Sequence, residues 1–196
     1  MGYFGGWWDN ILIKKTPQPT VNLKPAVPSI DMTQTQLTAW SEEKKDWEIE
    51  AERIWQSVDG NYIYFQKIEK GIAYSVKDRR VDFTAGWARW EKIREQLFLG
   101  DGLEARVEGS VILTNEATIN YRTEEMICPG EVHLSKKDGW TTAKTMKIDF
   151  KKEEMFLEGD VVIVQKEDQA TADGVIYNFD DEKFKLVGPK EVFINP

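Results

Sequence analysis

Cys128 and His133 stand five positions apart in the stretch EEMICPGEVHLS, Glu124 to Ser135. A thiol near an imidazole is the pairing that a cysteine nucleophile or a zinc site uses. Nothing else in the chain completes either chemistry. It holds one cysteine and one histidine, so there is no second thiol for a disulfide, no further soft ligand for a metal and no triad to activate the sulfur. A near copy, EEMFLEGDVVIV, Glu153 to Val164, follows 29 positions later, with Leu157 in the place of Cys128 and Val162 in that of His133. The pair of stretches predicts Cys128 to be a small buried hydrophobe and His133 to be an outward-facing surface residue. Paired carboxylates also recur, as Glu124-Glu125, Glu153-Glu154 and Asp180-Asp181. A catalytic acid and base are needed once, whereas these repeat at turns flanked by lysine, which predicts solvated turn charges. There is no Gly-rich phosphate loop, dinucleotide fingerprint, G-x-S-x-G or metal-ligand cluster, so neither an enzyme, a metal nor a cofactor is expected.

The elements that carry these residues follow the same 29-residue period. Positions 29 apart form apolar sets: Ala88, Ala117, Met146, Val175; Trp90, Ile119, Ile148, Tyr177; Leu97, Met126, Met155, Phe184; Leu99, Cys128, Leu157, Leu186; and Leu103, Val132, Val161. Sets belonging to one strand are two residues apart, as one face of a pleated strand requires. Gly130, Gly159 and Gly188 recur as a turn position, and Asp101 sits between Gly100 and Gly102 in the first unit. Lys147, Asp149, Asn120, Glu158, Glu131 and Asn178 alternate with the apolar residues and predict a wet outer face. Gly86 to Leu99 can be drawn on a helical wheel, but the period assigns it to two strands and a turn. Four strand-pair units follow, in an all-β chain punctuated by Asp-Gly turns. With few helical segments to cover the apolar face, a second sheet must close it, giving an extended sandwich or half-open jelly roll. Most of the apolar stripe is core. Its mixture of Met126, Met155, Phe184, Leu157 and Trp90 with small Ala88 and Ala117 leaves room for a groove that admits a chain-like apolar ligand.

A length of 196 residues fits one well-cored domain, and a formal charge of −8 opposes nucleic acid as a partner. No apolar run reaches the roughly 18–20 residues that span a bilayer. The first residues, MGYFGGWWDNILIKK, crowd aromatics ahead of lysines, either to sit at a membrane interface or else to pack on the domain or stay disordered, and they lack the layout of a signal peptide. Thr16 to Ser29 holds four prolines and reads as an extended linker. The expected organisation is therefore an N-terminal aromatic segment and Pro-rich linker over 1–29, and a β domain over 30–196.

The opening strand of that domain, DMTQTQLTAWSEEKKDWEIEAERIWQS with its Trp47, Ile49 and Ala51, is followed by units such as TTAKTMKIDFKKEEMFLEGDVVIV. In this order and at this period the chain resembles the LptC family of lipopolysaccharide-export proteins, within the wider LptA/OstA-like group. The resemblance runs from about Ile30 to Pro196. It implies an open β-jelly roll in which two antiparallel sheets form a V-shaped trough. It also implies a periplasmic carrier at the inner membrane, taking lipopolysaccharide from an LptB/F/G-like ABC transporter and passing it to an LptA-like bridge protein. Family members usually carry an N-terminal transmembrane helix, which this sequence does not show. The trough residues expected on this reading are Trp90, Leu97, Leu99, Ile119, Met126, Ile148, Met155, Leu157, Val161, Tyr177 and Phe184. The C-terminal edge implied to face the bridge protein is Glu191, Val192, Phe193 and Ile194. The alternative reading is a structural or adhesive β-repeat protein with a fully packed core and no lipid.

Overall fold

The computed structural model describes residues 12–14, 31–41, 43–74, 79–180 and 183–194; the N-terminal aromatics and the Pro-rich stretch lie outside the described residues. Strand β1 (Leu12–Lys14) pairs with β2 (Asp31–Ser41), and the chain continues through β3 (Lys44–Gln56), β4 (Tyr62–Tyr74), β5 (Arg80–Glu91), β6 (Gln96–Val107) and β7 (Ser110–Asn120). Then follow β8 (Glu125–Cys128), β9 (Val132–Lys136), β10 (Gly139–Ala143), β11 (Thr145–Asp149), β12 (Glu154–Gln165), β13 (Asp168–Asn178) and β14 (Phe184–Phe193). The protein is all-β, and the pairings are antiparallel and continuous from strand to strand. The stretch Gly86–Leu99 is strand, turn and strand, as the period requires.

Short β8 and β9 lie end to end along β7, and β10 and β11 do the same along β12. The break between β8 and β9 holds Pro129, which cannot donate to a ladder, and Gly130. The topology is thus an up-and-down meander of long strands, each bent in its middle. The bends coincide with register shifts between Glu50 and Ala51, Thr84 and Trp87, Gly100 and Leu103, and Glu158 and Val161. Gly102 and Gly159 adopt φ of 81° and 83° there, a region that only glycine enters freely. The recurring glycines therefore mark strand bends rather than the hairpin turns expected from sequence. A bulge and a turn draw on the same residues, because both need a left-handed backbone.

The hairpin turns repeat on their own 29-residue register. Along one margin of the sheet Glu95, Glu124 and Glu153 hold φ of 55°, 58° and 59°. Their carbonyls accept the N–H of Tyr121, Phe150 and Phe179 at 2.9, 3.0 and 2.9 Å, so each turn is hydrogen-bonded to the next. Asn120 and Asp149 close two of these turns by accepting backbone N–H bonds with their side-chain oxygens. Asp149 is consequently buried, not solvated as its place on the outer face suggested. On the opposite margin Glu108 and Gly109 form a two-residue loop, with φ of 47° and 73°.

Bending folds the sheet into two walls with the core between them. In one wall Ile63, Trp90, Leu97, Ile119, Met126, Ile148, Met155, Tyr177 and Phe184 are successive cross-strand partners. In the other, Leu37, Ile49, Gly71, Phe83, Ala105, Ile112, Leu134, Thr141 and Ile163 form an equivalent row. The outer face is less wet than its sequence implied. Trp55 stacks on Tyr64 at 5.4 Å, and the Arg89 guanidinium lies 4.4 Å from the Phe98 ring.

Candidate functional site

Nine of the expected trough residues, Trp90, Leu97, Leu99, Ile119, Met126, Ile148, Met155, Leu157 and Val161, lie on the inner face and are at most 4% exposed. They form one cluster with apolar residues of the facing wall. Near the N-terminal end the walls meet through rings. Trp47 packs edge-on to Phe65 at 5.4 Å and to Trp90 at 5.6 Å, and Trp90 in turn meets Tyr121 at 5.5 Å. The C-terminal end is different. Tyr177 is half-buried, Phe184 is 52% exposed, and Val192, Phe193 and Ile194 are more exposed still. The interior row thus runs from a sealed aromatic end to an open apolar one. The last strand, β14, pairs only with β13 among the described residues, which leaves Glu191, Val192 and Phe193 on an edge with unpaired backbone groups.

The mouth between the two margins is bridged by polar contacts that connect residues far apart in sequence. Arg79, ahead of β5, reaches Glu153 at 3.1 Å and Asp180 at 3.3 Å on the opposite margin, and Glu108 at 3.1 Å on its own. Its guanidinium also lies over the Phe179 ring, 5.3 Å from the centroid. Glu153 is buried by this arrangement, which corrects its reading as a solvated turn charge; Asp180 stays exposed. Further along, the Lys136 ammonium sits 3.8 Å from the centre of the Tyr177 ring. A cavity of about 110 Å³ lies where the end of β2 and the start of β3 face the turns after β5 and β7, and Ile119 is the trough residue that lines it.

Neither residue that first suggested chemistry sits in a reactive setting. Cys128 is fully buried, and burial pushes its thiol up to about 12, so the thiolate is absent at neutral pH. His133 is exposed on β9, with Nε2 3.3 Å from Glu131 Oε1. Among the described residues no group of three His, Cys, Asp or Glu side chains is placed to hold a metal, and no helix is long and apolar enough to cross a membrane. Sequence reasoning missed Arg79, Asp46 and Tyr121. Tyr121 had a readable signal in the series Tyr121, Phe150, Phe179; Arg79 had none, since it lies outside the repeat.

A family model described as lipopolysaccharide-assembly, LptC-related, matches residues 1–164. The comparison with curated proteins finds no match. Among solved structures, the fold is similar to that of LptH from Pseudomonas aeruginosa, described as the LptA-homologous periplasmic component of the conserved lipopolysaccharide transport device. The TM-score is 0.52 at 11% identity, covering 59% of this chain and 95% of that chain. At such identity the likeness speaks for the fold alone, an open jelly roll.

Proposed function

Because the chain belongs to the LptC-related family of lipopolysaccharide assembly, we propose that it is a periplasmic lipid carrier whose module over residues 30–196 takes acyl chains between its two walls. In this reading an inner-membrane ATP-driven transporter loads the carrier, and a bridge protein of similar fold docks on β14 and receives the lipid. The observation that supports it is the inner row itself, which passes unbroken from strand to strand and ends in exposed Phe184. Each CH₂ moved from water to such an interior gains about 0.8 kcal/mol, so a chain of about a dozen carbons gains roughly 10 kcal/mol. The inner-row residues Leu97, Met126, Ile148 and Met155 are buried in one cluster, so an acyl chain reaches them only as the walls part. That gain must therefore exceed the cost of separating the walls. Between two carriers with like interiors the transfer free energy nearly cancels, which leaves direction to the transporter. The unpaired edge of β14 suits strand addition, which would carry the apolar row into the partner.

The burial of the interior row also favours a second reading, a structural β-repeat protein that takes no lipid. Photocrosslinkable residues at Met126, Met155 and Phe184, with Lys147 and Glu158 as outer-face controls, separate the two. The carrier reading expects lipopolysaccharide adducts at the three inner sites in the presence of the energised transporter. Equal yields at inner and outer sites would favour the packed-core protein.

A further inference from the structure

The cavity at the sealed end of the trough stands apart from the lipid reading, because its inner wall carries polar groups that the fold does not use. Asp46, near the start of β3, is 8% exposed, and its Oδ1 accepts the Ser41 hydroxyl at 2.8 Å. Its other oxygen, Oδ2, is buried without a hydrogen-bond partner. Tyr121 also lines the cavity, and its hydroxyl is buried without a hydrogen-bond partner. Leaving two such oxygens unsatisfied costs on the order of 1–3 kcal/mol each, so something polar belongs there. The space of about 110 Å³ is well above the roughly 10–15 Å³ that one water needs.

Charges of both signs border this space, and the acids of its far side, Glu95 and Glu124, are paired with Arg122 at 3.7 Å and Lys151 at 3.5 Å. From the turn after β5, Glu95 presents a second carboxylate whose field acts on Asp46. From the turn after β7, Glu124 lines the same space, and Tyr74 does so from the end of β4. Lys44 and Lys45 lie on the rim, but the Lys45 ammonium is held by Glu48 at 3.0 Å and leans on Trp40. The remaining wall is apolar, formed by Ala73, Val81, Ile119 and Phe150. The site therefore presents the Asp46 and Tyr121 oxygens at one end and hydrocarbon around them, with Lys44 at the rim. No cluster of three metal-ligating side chains is found among the described residues.

We infer that this cavity binds a small primary ammonium group, with Asp46 Oδ2 and Tyr121 Oη as acceptors and a short alkyl arm against Ile119 and Phe150. The group could arrive as a free amine or as the ethanolamine headgroup of a phospholipid; both present the same chemistry. Burial pushes Asp46 up to about 6, so the carboxylate is almost fully ionised at pH 8 and about one-tenth ionised at pH 5. Affinity for a cation should fall about tenfold over that interval.

The test is calorimetric titration of the full chain with ethanolamine, and with ethylene glycol as a neutral control of like size. The expected result is saturable binding of ethanolamine, about tenfold tighter at pH 8 than at pH 5, and none of the glycol. Asp46→Asn should abolish it and Tyr121→Phe weaken it several-fold. Tyr121→Phe removes no hydrogen bond of the fold, and in Asp46→Asn the asparagine carbonyl still accepts the Ser41 hydroxyl. Sedimentation with phosphatidylethanolamine vesicles but not phosphatidylglycerol vesicles, lost in Asp46→Asn, assigns the lipid source; retained ethanolamine binding without sedimentation assigns the free amine. Binding that is absent, equal for the glycol, or unchanged in Asp46→Asn overturns the site and leaves water as its content.

Discussion

Asp46 carries a pH signature of its own. Its folded value of about 6 stands above the ordinary 3.8, so the fold binds this proton more tightly than the unfolded chain does. The stabilisation from that proton is complete below about pH 4 and is lost as pH rises through 6. The difference, at about 1.4 kcal/mol per pH unit, amounts to about 3 kcal/mol. Asp46→Asn removes the ionisation, so chemical denaturation should find the variant more stable than the parent above about pH 6, with the gap closing towards pH 4. Cys128 gives the opposite kind of prediction. A thiol reagent should modify it at the rate of unfolding, and Cys128→Ser should cost about 1–3 kcal/mol by burying a hydroxyl where the register supplies apolar neighbours. That inertness was legible in the sequence, because Leu157 occupies the matching position one unit later. The role of Asp46 was not, since nothing in its strand says that its second oxygen lacks a partner.

At the scale of the strand, alternation and period reveal which residues face inward, because both are imposed by the pleat and by the pairing of successive units. They do not distinguish hairpins from bends. Gly159 and Glu153 both sit at positive φ, yet one lies in a bulge within β12 and the other in a turn. Both belong to 29-residue series, Glu95, Glu124, Glu153 and Gly130, Gly159, Gly188, so the period alone does not separate them. Close packing across strands is equally silent. Gly71 faces Phe83 across the β4–β5 pair, and a β-carbon there would come within 2.2 Å of the ring. Gly71→Ala should therefore push Phe83 from the interior and destabilise the fold by about 1–3 kcal/mol in a thermal melt. Phe83→Leu in the same background should restore part of the loss.

For the whole molecule, the decisive feature is that a continuous sheet is folded on itself and latched at its mouth. The latch joins Arg79 to Glu153 and Asp180, residues at least 74 positions away, so no local pattern announces it. Removing one member of a largely buried ion pair strands the other. Arg79→Gln should thus lower stability by about 3 kcal/mol in denaturation and, if the walls part to admit lipid, speed loading in a stopped-flow assay. Methionine methyl groups report on the interior most directly. Met155, Met146 and Met126 lie on successively more distant strands from the open end at β14, and all three are fully buried, while Met32 sits far off on β2. With methyl-labelled methionine and a lipid carrying a spin label on its acyl chain, the NMR signals should broaden in the order Met155, Met146, Met126, with Met32 unaffected. Broadening of none of the three, or of Met32 alone, would contradict a lipid lying between the walls.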